Sequence, residues 1–522
     1  MTKNTLKESI LDDEEFGVTW EHVPGRGARE QQQDAVFEAA EIASDGDVVH
    51  GISVTENAGG NPAISAEYLG MKLEDLDVDP LVHFTAKDKN RNQLESLLYA
   101  MDREGIHNLL VMTGDYQNDG YQGQSKPVYD LDPVQIMDLI SDLNEGLSYT
   151  DKFGREKALE PTDFFAGVAV SPFKKLESEL VPQYWKLEKK VEQGAQFVIP
   201  QVGYDARKFH ELIQYVEDHD LDVPVVGNIY VLDPGSANAM NKNRVPGVIV
   251  TDDLLEDIET EADEHDDGGK QARLDRAAKM YAFMKGMGYD GVHIAGHEID
   301  HDGVEYIVER GEELEPEWRE LVHEFDYPME DGFYYYERDP ETGLNTWERN
   351  ALPETPSRSL NYRTFKVMHD QLFEPDGALF GPMRWTAEKV DDSRLEGPYQ
   401  LTERMVKTAS NDCEECGNCA LLDLAYQCPM SQCPKSQRNG PCGGSYDGWC
   451  EVHPGEQKCI YVKAYRELKA DGGVEKAREK LRELYIPPPD WELENTSSWL
   501  NYFLGRDYAS KNAGIEPPTS GD

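Results

Sequence analysis

The stretch 81–115 constrains the fold more than any other part of the chain. A short apolar run ends in His83-Phe84-Thr85-Ala86-Lys87-Asp88, a helical pattern follows from about 91 to 105, and a second apolar run ends in Thr113-Gly114-Asp115. Strand, helix and strand in this spacing make a parallel βα unit, because parallel neighbours need a crossover between them. His83, Thr85 and Asp88 lie just past the carboxyl end of the first strand, and Thr113 and Asp115 just past that of the second. Parallel α/β folds gather their ligand contacts at such ends.

The same alternation recurs along the first 300 or so residues. Apolar runs at 16–23, 48–54, 164–169, 197–202, 224–230 and 291–295 add six strands to the two above, and helical patterns separate them. Eight βα repeats predict a (β/α)8 barrel, class α/β, in preference to an open doubly wound sheet. No G-x-G-x-x-G occurs, and Gly25-Arg26-Gly27 lacks the third glycine and reads as a plain turn. The acidic run 252–267, closed by Gly268-Gly269, reads as a solvated loop before the last barrel helix. The expected organisation is a polar tail 1–15, a barrel 16–310, and an irregular wrapping linker 311–395. A cysteine-rich module, 396–470, and a charged then aromatic tail, 471–522, complete it.

Charge narrows the partners. Asp plus Glu number 101 against 51 Lys plus Arg, a formal charge of -50. That balance argues against nucleic-acid phosphates and anionic membranes. Spread over the whole chain, it points to a salt-rich cytoplasm in which self-repulsion is screened. No apolar run reaches the ~20 residues that span a bilayer, and residues 1–15 do not resemble a secretory signal; a cytoplasmic protein is expected.

Glu21, beside His22, ends the first strand, and Asp115 follows a glycine that permits close backbone approach to a ligand. Two carboxylates at one barrel mouth invite acid–base chemistry. The plainer alternatives are a solvated strand-end carboxylate for Glu21 and a satisfied core imidazole for His83. His297-Glu298-Ile299-Asp300-His301 fits H-E-x-x-H, but Asp302-Gly303 follows at once and would break the helix a zinc site needs.

Val18-Thr19-Trp20-Glu21, Val54-Thr55-Glu56-Asn57-Ala58-Gly59-Gly60, His83 to Asp88, Leu110 to Asp115, Gly167-Val168-Ala169, Lys189-Lys190-Val191-Glu192-Gln193-Gly194-Ala195 and Pro200-Gln201 fall in one order over about 16–297. Taken together the barrel resembles methylenetetrahydrofolate reductase. The resemblance implies a flavin-dependent (β/α)8 enzyme of one-carbon and methionine metabolism, in which reduced flavin passes a hydride to the one-carbon bridge of methylenetetrahydrofolate or a related pterin. It implies Glu21 as general acid and Asp115 beside flavin and pterin. It implies flavin contacts at Thr55, His83, Thr85, Gly114 and Ala169, phosphate-holding cations at Lys189 and Lys190, and a folate-ring contact at Gln201. Where the family has a tyrosine and then a histidine after Ala169, this chain has Ser171, Phe173 and Lys174. FAD is the expected flavin, with FMN the alternative.

All eight cysteines, Cys413, Cys416, Cys419, Cys428, Cys433, Cys442, Cys450 and Cys459, fall in one short segment, and none precedes it. Eight thiolates suit two four-cysteine sites, and a reducing compartment disfavours disulfides. C-x2-C-x2-C fits [4Fe–4S] ligation, with structural zinc the alternative for some or all of the sulfurs. The module also resembles the small cysteine-rich partner that accompanies the reductase in some anaerobes, here fused to it. The electron donor is then either NAD(P)H or a redox protein such as ferredoxin. The competing function class is a non-catalytic flavin and iron–sulfur subunit that docks a methyltransferase or other redox partner.

Overall fold

The computed structural model describes residues 4–46, 48–297, 299–354 and 357–518. Its central sheet has eight strands, β1 (Gly17–His22), β2 (Gly51–Val54), β3 (Pro80–Thr85), β4 (Asn108–Met112), β5 (Phe165–Val170), β6 (Phe197–Pro200), β7 (Val226–Val231) and β8 (Gly291–Gly296). The order is β6-β5-β4-β3-β2-β1-β8-β7. Every neighbouring pair is parallel. A parallel bridge between Val198 and Val225 joins the two ends, so the sheet closes on itself as the βα count predicts.

The helices between strands form for legible reasons. In Arg91–Arg103, Leu94, Leu98 and Met101 are buried at helical spacing, and the Asn90 side chain caps the first turn by accepting from Gln93 N at 3.0 Å. Ahead of β1, Thr5–Leu11 is a helix whose Leu6 and Ile10 are buried. They join Leu81, Leu110, Phe165, Phe197, Ile199 and Val226 in one apolar cluster. Phe165 and Phe197 stack there with centroids 4.9 Å apart. This cluster draws on residues of β3 to β7 and is joined by Met112 at the end of β4.

The acidic run corrects one expectation. Most of it, Asp252–Glu264, is α-helix rather than a solvated loop. Leu254 and Ile258, four apart, bury one face, Thr251 caps the start, and Asp252 and Asp253 stand in the first turn, where the helix dipole favours negative charge.

Two compact units divide the chain. The barrel unit runs to Val128 and takes in Pro133–Leu352 and Gly443–Asp447. It includes a hairpin of Tyr336–Arg338 and Asn345–Arg349. The second unit holds Tyr129–Asp132, Pro353–Cys442 and the chain from Gly448 onward. Within it, helices Leu360–Leu372, Phe380–Val390, Glu396–Asn411, Ile460–Arg478 and Ser498–Phe503 surround the cysteine segment in sequence. Phe373 stacks on Phe503 at 5.4 Å, and Tyr508 donates to Asp423 at 2.7 Å. Among the described residues no helix is long and apolar enough to cross a membrane.

Candidate active site and thiol centre

Strand register assembles the barrel site. Thr19 and Glu21 are two apart on β1 and so share a face; the register sets Thr19 beside His293 of β8 and Glu21 beside Ser53 of β2. His293 Nδ1 lies 2.7 Å from Thr19 Oγ1 and its Nε2 lies 3.2 Å from Glu21 Oε2. On the other side His83 Nε2 stands 3.7 Å from the same carboxylate oxygen and 2.8 Å from Ser53 Oγ. Glu21 thus sits between two buried imidazoles, and the ligand atoms of Glu21, His83 and His293 all lie within 4.8 Å of one another.

Burial alone would raise the Glu21 carboxyl, but the His293 hydrogen bond and the neighbouring imidazoles outweigh it and hold the group below its ordinary value. His83 and His22 are pushed down to about 4, burial being the main cause in each. Sequence reasoning missed His293, which stands mid-strand in an apolar run; its signal was a lone imidazole two residues into the eighth strand.

The other expected residues fall into smaller groups. Asp115 accepts from Gly59 N at 2.7 Å, which ties the loop after β4 to the glycines after β2. Gly114 has φ +79°, and a Cβ there would come within 2.9 Å of the Thr85 and Lys87 Cβ atoms, so only glycine fits without displacement. Thr85 is spoken for by Glu56, whose Oε2 accepts from both its N and its Oγ1 at 2.8 Å, and Lys89 pairs with the same carboxylate. Lys190 Nζ donates to Ala169 O at 2.6 Å, which brings together two of the expected cofactor positions. Lys189 is buried on the same helix, Glu177–Glu192. Gln201 turns its Oε1 onto Val202 N at 2.9 Å. Lys174 is buried and donates to the carbonyls of Gly443 and Ser445, the latter at 2.8 Å.

Several buried polar atoms around these positions have no hydrogen-bond partner: Thr55 Oγ1, Ser171 Oγ, Gln183 Nε2 and Asn228 Oδ1. Unsatisfied buried donors and acceptors are costly, and a polar cofactor or substrate would satisfy them. Thr55 Oγ1 is one such unsatisfied atom, near the Gly59 and Gly60 loop after β2.

The H-E-x-x-H match does not make a helical zinc pair. The helix starts at His301, with Asp300 as its cap, so His297 lies outside it; Glu298 falls outside the described residues. His301, Asp302 and Glu305 do cluster on its first turns, as exposed acidic groups often do.

In the second unit the eight thiols sort into two sets. Cys413 and Cys416 each feel the charge of Cys419 and Cys428, and Cys419 feels Cys428. Cys433 feels Cys442 and Cys450, and Cys459 feels Cys442 and Cys433. Burial is the main cause that raises Cys413, Cys416, Cys419, Cys433 and Cys459, Cys416 and Cys433 to about 12, and the neighbouring sulfurs add to it. Burial disfavours the thiolate, and a bound cation would favour it.

A closed parallel barrel of eight strands with helices between them defines a (β/α)8-barrel protein. The sequence model of the methylenetetrahydrofolate reductase family matches residues 6–303. The chain belongs to that family. A second model, described as methylene-tetrahydrofolate reductase C terminal, matches 394–492 and so takes in all eight cysteines. Methylenetetrahydrofolate reductase 1 of Schizosaccharomyces pombe is 21% identical over 262 residues, which are 50% of this chain and 40% of that protein. The chain therefore spans about two fifths of that curated relative. Two solved structures are similar at low scores. One is an uncharacterized protein from Clostridium thermocellum that binds two copies of 5-methyl-5,6,7,8-tetrahydrofolic acid, with TM-score 0.41, 13% identity, 60% of this chain and 99% of that one. The other is Yersinia pestis DHPS with a pterine-sulfa conjugate, with TM-score 0.34, 10% identity, 58% and 93%.

Proposed function

We propose that the barrel reduces 5,10-methylenetetrahydrofolate, or a related pterin, to its 5-methyl form. A bound reduced flavin, FAD or FMN, would supply the hydride, and the chain's residues do the rest. The observation that carries this reading is the placement of Glu21, near the carboxyl end of β1, between His293 of β8 and His83 of β3. The five-membered ring of the substrate must open at a carbon–nitrogen bond before its one-carbon unit can accept a hydride. A proton on the nitrogen makes that bond break, and Glu21 is the group that gives it. In the open site Glu21 favours its ionised form. A bound pterin and flavin would expel water from around it and raise its affinity for a proton, and His293 and Thr19 keep its carboxylate aimed meanwhile. Asp115, fixed by Gly59 N, holds a negative charge beside the loop of Gly114 and orients what binds there. Thr55 Oγ1 offers an unpaired hydroxyl to the flavin, Lys189 and Lys190 offer cations for its phosphate, and Gln201 contacts the folate ring.

For the second unit we infer that Cys413, Cys416, Cys419 and Cys428 hold one [4Fe–4S] cluster and Cys433, Cys442, Cys450 and Cys459 another, the mutual coupling of the thiols supporting that division. Bound clusters would supply single electrons, which favours a reduced ferredoxin-like donor over NAD(P)H.

Glu21→Gln tests the barrel reading. The variant should keep its flavin, judged by absorbance and stoichiometry, and lose ~10²–10⁴ in the rate at which methylenetetrahydrofolate reoxidises it. A variant that reoxidises at the parent rate would return the chain to the class of electron-transfer or docking subunits.

A further inference from the structure

Two buried cations in the second unit lie close enough to the first set of thiols for Cys416 and Cys419 to feel their charge. Lys407, on the helix Glu396–Asn411, is buried, and its Nζ lies 3.7 Å from Cys419 Sγ. It is held there from behind: Glu403, one turn earlier, accepts from it at 2.7 Å, and Ser498 Oγ accepts a further bond. Glu403 is itself fixed by Ser498 Oγ at 2.6 Å and by Trp499 N at 3.3 Å. A small cavity is lined by Glu403, Lys407, Cys413, Cys416 and Cys419 together.

Arg438 is the second cation. It is 1% exposed, yet its Nε and Nη2 make no hydrogen bond. Its Nη1 reaches Met430 Sδ at 3.7 Å, a weak acceptor, and the guanidinium stands 5.5 Å from the Tyr508 ring. Asp423 is near enough to feel its charge but makes no ion pair with it. Cys416 feels the same charge. A fully buried guanidinium with two idle nitrogens is too costly to be inert filler; it waits for acceptors brought by something bound. A cluster brings inorganic sulfides as well as thiolates, whereas a single zinc sheathed by its thiolates brings no acceptor of its own. The buried lysine of the other set, Lys435, is paired with Glu451 as Lys407 is with Glu403, so what sets the first site apart is the unsatisfied Arg438.

We propose that Lys407 and Arg438 bracket the cluster held by Cys413, Cys416, Cys419 and Cys428 and raise its reduction potential, so that this site, rather than the second one, takes up the incoming electron most readily. The inference rests on the cluster reading above. A positive charge or N–H donor at a cluster sulfur stabilises the reduced, more negative state and weakens thiolate donation to iron; both effects move the potential upward. Lys407 and Arg438 act here as positioning charges and transfer nothing themselves.

The test uses the full chain purified without oxygen, with iron, sulfide and zinc counted and the cluster signals followed by electron paramagnetic resonance through a redox titration. Lys407→Met alone would strand Glu403, so the variant is the pair Glu403→Gln with Lys407→Met; Arg438→Gln is made beside it, and Lys407→Arg and Arg438→Lys keep the charges. Expected is a downward move of one cluster signal by a tenfold change in electron affinity, about 59 mV for a one-electron couple, with the other signal and the iron content unchanged and with both charge-keeping variants near the parent. Two unmoved signals at full iron content would overturn the proposal. So would iron loss in the neutral variants that the charge-keeping ones share, since that makes the pair scaffold. A parent chain that holds zinc and no iron removes the cluster reading itself, and this inference with it.

Discussion

At the scale of residues, His293 decides what Glu21 can do. Burial pushes the carboxyl up and the imidazole at 3.2 Å pulls it below its ordinary value. His293→Leu removes the donor and leaves the burial, so the Glu21 pKa should rise. For a proton donor, rate falls as pH climbs through its pKa; the falling limb of the flavin-reoxidation profile should therefore shift to higher pH, with a lower maximum because the carboxylate is no longer aimed. A limb that stays in place would mean another group gives the proton. The buried imidazoles also make stability depend on pH. His22, His83 and His210 are each pushed from 6.5 to about 4, burial first among the causes. The unfolded chain then binds more protons than the folded one between those values. Their contribution is fully present above pH ~6.5 and is lost as pH falls toward ~4, at most roughly 3 kcal/mol for the buried His83 and less for the two more exposed rings. Glu74, raised to about 7 mainly by burial, works the other way and flattens the slope. Denaturant unfolding of the barrel unit at several pH values checks the sign; stability that holds steady from neutral to pH ~5 would contradict it.

At the scale of elements, the helix Thr5–Leu11 is worth more than its length indicates. Leu6 is fully buried and Ile10 nearly so, against β3 to β7. Leu6→Ala should cost ~2–4 kcal/mol and lower the unfolding midpoint of the barrel unit while flavin binding in the folded protein stays the same; a cost below ~1 kcal/mol would show the helix to be loosely docked. The eight strands were legible because each is a short apolar run closed by polar or glycine residues, and burial on both faces makes parallel strands read that way. Helix Asp252–Glu264 was not, because the weight of Asp and Glu hid two leucine-class residues at i and i+4. The site was legible in part. Glu21 and His83 stand at strand ends, where chemistry is expected, but the register that sets Thr19 against His293 is a property of β1 lying next to β8, which no local pattern states. Arg438 was invisible for the same reason: in sequence it is one more basic residue near the cysteines, and only burial exposes its idle nitrogens.

At the scale of the whole molecule, the formal charge of -50 dominates. Repulsion among the acidic residues favours any state in which they stand farther apart, so it opposes the folded one. Ion pairs such as Lys72 with Asp75 and Arg310 with Glu313 involve partly exposed side chains. Pairs of that kind contribute little and weaken in salt. Two opposite responses to salt therefore compete: screening relieves the repulsion among the surplus carboxylates, and it also weakens the surface pairs. With 101 acidic against 51 basic side chains, about half of the carboxylates can have no cation of their own, and the first response should win. The thermal midpoint should rise from ~0.1 M to ~1 M KCl, where the screening length shortens from ~10 Å to ~3 Å. The rise should be steepest at the low end, where the longest-range repulsions disappear first. Sodium sulfate strengthens apolar burial besides screening charge, so KCl is the cleaner probe. A midpoint that is flat or falls in KCl would mean that the paired charges, not the surplus, control the fold, and the expectation of a salt-rich habitat would lose its physical basis.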